Sequence, residues 1–157
     1  ALSRNLEMLA SVRAFGRGGG PIYAECGGFM YLMKEIVDLD GKSCPMAGVF
    51  PMKARMEPRL QSLGFREIVT RKESPLGPSG TRVRGHEFHY SRMEALDENV
   101  ERIYSLSDRK GSGQGEEGFQ HERVLGSYVH LHWGSNSDAA RHFVEYCRRS
   151  SSSQPPE

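Results

Sequence analysis

The segment Ala24-Glu25-Cys26-Gly27-Gly28 limits what this chain can fold into more than any other stretch. Residues 21–25 before it read as a short buried strand. Residues 29–36 after it have helical spacing, closed by Asp38-Leu39-Asp40-Gly41. A strand, a sharp turn and a helix in succession belong to a parallel sheet with covering helices. A nucleophile at such a corner sits in a strained backbone conformation, so the residues two positions either side must be small. Ala24 and Gly28 meet that demand. The following helix N-terminus would favour a thiolate and set the Gly27 N–H near a developing oxyanion. The plainer alternative is a small buried cysteine in a glycine turn, which the strand–turn–helix context disfavours.

A thiol nucleophile needs a base, and six histidines are available. His130 and His132 end a strand-like run over 124–133, two positions apart, so their side chains are expected on one side of the sheet. Sites assemble at the ends of parallel strands, which makes a Cys26–His130 pair geometrically natural. His86, Glu87 and His89 form a second polar cluster. A zinc site is not expected there, because rings three residues apart on a strand face opposite ways. Shaping a pocket or binding polar substrate groups is the expected role. Gly41-Lys42-Ser43 looks like the end of a phosphate-binding loop, but Ile36 stands where the required glycine should be. No local case for ATP binding follows.

Composition narrows the classes further. A length of 157 residues is one domain's worth. Lys+Arg number 21 against 20 Asp+Glu, so a whole-protein electrostatic grip on nucleic acid is excluded. No apolar stretch is long enough to span a bilayer, and the start carries no signal-peptide pattern. Three cysteines without a C-x-x-C spacing predict a reducing, cytoplasmic setting rather than a disulfide framework. The remaining pattern predicts a helix over 2–15, strands over 64–70, 81–90 and 102–106, and a mobile loop or hairpin tip over 107–118. A last helix is expected over 137–148, capped by Asn136 or Ser137, before a polar, disordered tail.

Three blocks in order then become familiar. They are Pro21-Ile22-Tyr23-Ala24-Glu25-Cys26-Gly27-Gly28-Phe29-Met30-Tyr31-Leu32, Arg84-Gly85-His86-Glu87-Phe88-His89-Tyr90-Ser91, and Ser127-Tyr128-Val129-His130-Leu131-His132-Trp133-Gly134-Ser135-Asn136. Together they strongly resemble the glutamine amidotransferase domain of the cobyrinate a,c-diamide synthases, over about Leu2 to Cys147. The resemblance implies an α/β, class I glutamine amidotransferase-like (flavodoxin-like) sheet with helices on both faces. It implies that Cys26 attacks the side-chain amide of glutamine, that His130 activates the thiol, and that a glutamyl thioester follows. Gly27 and Gly28 would serve the oxyanion and Glu87 and His89 the substrate. ATP and magnesium would act in a synthetase domain that amidates the a and c carboxylates of a corrin, and no metal or cofactor is expected in this chain.

Two departures accompany the resemblance. The usual triad of this class ends His-Pro-Glu, whereas His130-Leu131-His132 stands here, so His132 occupies the glutamate's place and the third role stays open. The chain also begins about where the first covering helix is expected, so the first strand, its glycine-rich oxyanion loop and the synthetase domain are expected to be missing. The implied division is an N-terminally incomplete amidotransferase domain over 1–149 and a tail over 150–157. Two other readings remain open on sequence alone. One is a weakly active or inactive binding module of the same fold. The other is the amidotransferase domain of a related tetrapyrrole amidase, cobyric acid synthase or nickel-sirohydrochlorin diamide synthase.

Overall fold

The computed structural model describes residues 2–95 and 100–151. Helix α1 (Leu6–Arg17) begins where the Asn5 side chain accepts from the Met8 N–H at 3.1 Å, and it follows a short 3-10 turn, Leu2–Arg4. Strand β1 (Ile22–Glu25) leads into helix α2 (Gly27–Leu32). A small sheet comes next, from β2 (Glu35–Val37), β3 (Ser43–Pro45) and β4 (Met52–Met56). Then come β5 (Ser62–Thr70), β6 (Arg82–His89), β7 (Ser91–Ala95), β8 (Glu101–Asp108) and β9 (Gly113–His121). Strands β10 (Val124–Ser127) and β11 (His130–Leu131) precede helix α3 (Ser137–Ser151).

The large sheet runs β1-β10-β9-β8-β5-β6-β11 and the small one β3-β2-β4-β7. Strand β10 is buried along its whole length because the two faces of the sheet are both covered. Val124 joins Leu9, Phe29, Leu32 and Phe50 on the side of α1 and α2. Leu125, one residue on, joins Ile68, Val83, Ile103 and Ala139 on the side of α3. Gly126 completes this strand because the Phe29 ring lies across it: an added Cβ would meet Phe29 Cδ2 at 2.2 Å.

The sequence pattern departs from the structure in identifiable places. Among the described residues, only β1 and β10 pair in parallel within the large sheet, so it is mixed rather than parallel. The helix expected over 29–36 stops at Leu32, and Ile36 pairs instead with Cys44 and Ala54 in the small sheet. Backbone pairing with β3 and β4 overrides a helical spacing only two turns long. The polar stretch 107–118 is mostly strand, turned at 109–112, where the Asp108 carboxylate accepts from the Lys110 and Ser112 N–H groups at 2.8 and 2.9 Å. Asn136 is the cap of α3, its side chain accepting from the Asp138 and Ala139 N–H groups. Beyond Ser151 the expected tail lies outside the described residues.

The most consequential departure is the break in the run 124–133. Here Tyr128 N–H donates to Glu117 Oε1 at 2.8 Å and Val129 N–H donates to the Ser127 hydroxyl oxygen at 3.0 Å. Side-chain acceptors thus take two backbone donors away from the ladder. The chain leaves β1 and β9 and re-pairs as β11 with β6, His130 opposite His86 and Leu131 opposite Gly85. Gly85 permits this pairing, since a Cβ there would sit 2.2 Å from the His130 carbonyl oxygen. Gly85→Ala is expected to push β11 off β6 and cost about 1–3 kcal/mol by overpacking. Urea unfolding of the variant against wild type checks this.

Candidate active site

Cys26 sits between β1 and α2 with φ 46° and ψ −106°, a conformation that L-residues rarely adopt. It is pinned from both sides. Its N–H donates to Ser127 O at 2.8 Å, and its carbonyl accepts from Met30 N–H at 2.9 Å. The small residues expected either side are present, and a Cβ on Gly28 would meet Ala24 Cβ at 3.6 Å, an ordinary contact. Gly27 is open on its outer side, with nothing within 4 Å of a would-be Cβ.

The thiol is half-buried and its Sγ faces the Phe88 carbonyl oxygen at 3.9 Å. Burial pushes its pKa up, the Gly27 N–H opposes this, and the Glu25 and Glu87 carboxylates push it further up. The expectation of a helix-stabilised thiolate is therefore corrected: α2 is only six residues long, and desolvation wins. The resting group is a thiol, which needs a base.

His130 lies at the same end of the sheet through β6, since it pairs with His86 and the thiol faces Phe88 two residues further along that strand. Its ring stacks on His86 at 5.0 Å between centroids and 17° between planes. Its Nδ1 lies 3.6 Å from Glu25 Oε2. The other Glu25 oxygen accepts from the Tyr23 hydroxyl at 2.6 Å and from the Leu131 N–H at 2.8 Å. Among the described residues no hydrogen bond joins Cys26 to His130. A depression of about 690 Å³ opens beside the ring, lined by Phe65, Arg84, His86, His130, His132 and Ser135.

His132 also lines that depression, exposed, with its ring beside Gly134 and, among the described residues, no hydrogen bond from either ring nitrogen. The carboxylate facing His130 comes from Glu25, which the sequence reading did not weigh. Its signal was an acidic residue closing an otherwise uncharged strand, immediately before the nucleophile.

Glu87 and His89, expected to serve the substrate, make contacts within the domain. They lie on the inner face of β6, while His86 and Phe88 face out, as the strand alternation requires. Glu87 accepts from Arg66 at 2.8 Å and pairs with His89 Nε2 at 2.9 Å, and His89 Nδ1 engages Ser91 O. The His89 ring stacks on Tyr128 at 4.1 Å. Both His89 nitrogens thus have partners within the domain, and these residues brace β6 and Tyr128. Burial raises the Glu87 pKa, but hydrogen bonds from His89, Ser62 and Arg66 outweigh it and bring the carboxyl down to about 2. Glu117 is the opposite case: burial pushes it up to about 7 although Ser127, Tyr128 and Gly118 all donate to it.

The turn at Gly41-Lys42-Ser43 does not fit a phosphate. The Asp38 carboxylate already accepts from the Asp40 and Lys42 N–H groups at 3.0 and 2.8 Å, placing a negative charge where a phosphate would sit.

With this geometry in view, the comparisons with known proteins are decisive about kinship. A family model described as the CobB/CobQ-like glutamine amidotransferase domain matches residues 1–138. The chain belongs to that family. This glutamine amidotransferase domain is 42% identical over 149 residues to the cobyrinate a,c-diamide synthase of Leptospira interrogans serovar copenhageni, covering 94% of this chain and 33% of that protein. It is 40% identical over 149 residues to the hydrogenobyrinate a,c-diamide synthase of Streptomyces coelicolor, covering 95% and 29% respectively. The chain therefore spans about a third of the length of the curated relatives it matches. A solved structure described as a glutamine amidotransferase has the same fold, with a TM-score of 0.63 at 21% identity, covering 93% of this chain and 71% of that one. No described helix of the amidotransferase domain is long and apolar enough to cross a membrane.

Two measurements probe the electrostatics of this domain. Iodoacetamide labelling of Cys26, followed by peptide mass mapping, is expected to rise at higher pH than labelling of an unfolded-chain cysteine. Between pH 4.5 and about 7 the folded Glu117 keeps a proton that the unfolded chain has lost, so its contribution to stability falls as pH rises through that window. Glu117→Gln, which keeps an acceptor but cannot ionise, is expected to flatten that decline in urea midpoints. Glu87 works with the opposite sign, losing stability as pH falls from 4.5 towards 2.

Proposed function

We propose that this domain hydrolyses glutamine through a thioester on Cys26 and supplies the ammonia for ATP-dependent amidation of the a and c carboxylates of cobyrinate, in cobalamin biosynthesis. The observation that carries the reading is the strained, small-flanked backbone at Cys26, at the sheet end where β11 presents His130. Kinship with a,c-diamide synthases supports the choice of acceptor.

In the proposed reaction His130 takes the thiol proton as Sγ bonds to the glutamine side-chain carbonyl carbon. The C–N bond then breaks, the imidazolium gives the proton to the departing nitrogen, and ammonia leaves. Water, deprotonated by the same ring, attacks the thioester, releasing glutamate and restoring the thiol. The Gly27 N–H lies beside the sulfur, where it would meet the oxyanion. The raised thiol pKa makes proton transfer to His130 part of the chemistry rather than a preliminary. Apo geometries of such pairs commonly tighten only when substrate arrives. ATP and magnesium would act in a synthetase domain in the remaining length typical of the relatives, and the Asp38 turn at Gly41-Lys42-Ser43 does not fit a phosphate. Three unpaired cysteines suit a reducing, cytoplasmic setting.

Glutamate release from glutamine by the purified chain is the primary test. Cys26→Ala is expected to fall to background, and His130→Ala to lose about 100-fold or more. Equal rates for wild type and Cys26→Ala would overturn the hydrolytic reading. With a synthetase domain supplied, transfer of label from amide-¹⁵N glutamine to cobyrinate, counted as two amides, tests the acceptor.

A further inference from the structure

We infer that Glu25 is the positioning residue for His130: it fixes the imidazole tautomer and orientation, the role left open where His132 stands in the sequence. The inference rests on the glutaminase reading for its kinetic consequence, though not for its structural one.

Three observations converge on this carboxylate. First, one oxygen is fully committed. Oε1 accepts from the Tyr23 hydroxyl at 2.6 Å and the Leu131 N–H at 2.8 Å. Tyr23 is itself held edge-on against Trp133 at 5.3 Å and Phe143 at 5.9 Å, so the donor does not wander. Burial drives the Tyr23 pKa upward, which keeps the hydroxyl protonated as a donor. Secondly, the remaining oxygen faces the ring: Oε2 stands 3.6 Å from His130 Nδ1. Thirdly, Glu25 precedes the nucleophile directly and pairs in register with Ser127, whose carbonyl also accepts from the Cys26 N–H. One residue therefore couples the thiol corner to the strand that carries the imidazole.

A carboxylate beside Nδ1 favours the proton there and leaves the Nε2 lone pair free to accept from the thiol. It also stabilises the imidazolium once the proton has moved. His86 meets the ring face to face, and among the described residues no hydrogen bond joins His132 to it.

The test is Glu25→Gln, which keeps an oxygen for Tyr23 and Leu131 but turns an N–H₂ group towards Nδ1. That donor forces Nδ1 to accept and moves the proton to Nε2. Ring ¹⁵N shifts of His130, read at alkaline pH in the intact chain, are expected to report the Nδ1–H tautomer in wild type and Nε2–H in the variant. The kcat for glutamine hydrolysis is expected to fall at least about tenfold with KM within about twofold, the pattern of a wrong-tautomer base. Glu25→Ala is expected to lose the Nδ1–H preference too. An unchanged tautomer in both variants would overturn the inference, whatever happens to activity. A folded Glu25→Gln protein with wild-type kcat would overturn it as well. If instead wild type hydrolyses no faster than Cys26→Ala, the glutaminase reading fails, and the tautomer measurement still decides the assignment of Glu25.

Discussion

The backbone of Cys26 is held at a positive φ by its own N–H on Ser127 and its carbonyl under Met30, and most of the site follows from that constraint. Such a conformation costs of the order of 1–3 kcal/mol and persists only where its surroundings over-determine it. Parallel pairing of β1 with β10 supplies one side of the grip and the first turn of α2 the other. The same pairing delivers Glu25 to Ser127 and Ala24 to Gly126, the residue that lets the Phe29 ring lie close under the corner. Cys26 is thus held by β1, β10 and α2 rather than by a loop.

His130 is placed by a different device. A continuous strand over 124–133 would keep His130 beside β1 and β9. The buried Glu117 carboxyl prevents this by taking the Tyr128 N–H and the Ser127 hydroxyl proton, and the chain jogs into β11. Tyr128 then ties the jog to β7 through its hydroxyl and the Ser91 hydroxyl, 3.0 Å apart, and to β6 by stacking on His89. His89 continues through Glu87 to Arg66. Buried polar networks are costly unless every member is satisfied. This one is satisfied, and it links β5, β6, β7, β9 and the jog beneath the outward histidines.

The legible and illegible parts of the sequence divide along the range of the interactions responsible. The corner was legible because small residues flank the nucleophile locally, and the cap of α3 because Asn136 acts on its own next residues. The opposite facing of His86 and His89 followed from strand alternation alone. The short helix α2 was over-read, since the spacing of Met33 and Ile36 fits a helix, whereas Met33 is its extended C-cap and Ile36 pairs at long range with β4. The jog at Tyr128 was not legible, because its cause is a carboxyl eleven residues earlier whose side-chain direction depends on the β8–β9 hairpin. Glu25 was hidden for a similar reason: its partner Leu131 is 106 residues away, and no local pattern announces such a contact. Glu87 and His89 were visible as polar residues, but only the fold shows that they satisfy each other.

Charge explains why these long-range contacts matter to the chemistry. Two carboxylates, Glu25 and Glu87, act on the Cys26 thiol in the same upward direction as burial, against one backbone N–H. A resting thiolate would be the wrong design for such surroundings, because a half-buried sulfur charge near those carboxylates has little to stabilise it. In the proposed reaction His130, as proton acceptor, would resolve the conflict. A thiol proton transferred to His130 would place a positive charge beside the Glu25 carboxylate, so the group that disfavours the isolated thiolate would favour the thiolate–imidazolium pair. On that proposal the same carboxylate would disfavour the isolated thiolate and lower the cost of proton transfer to the ring.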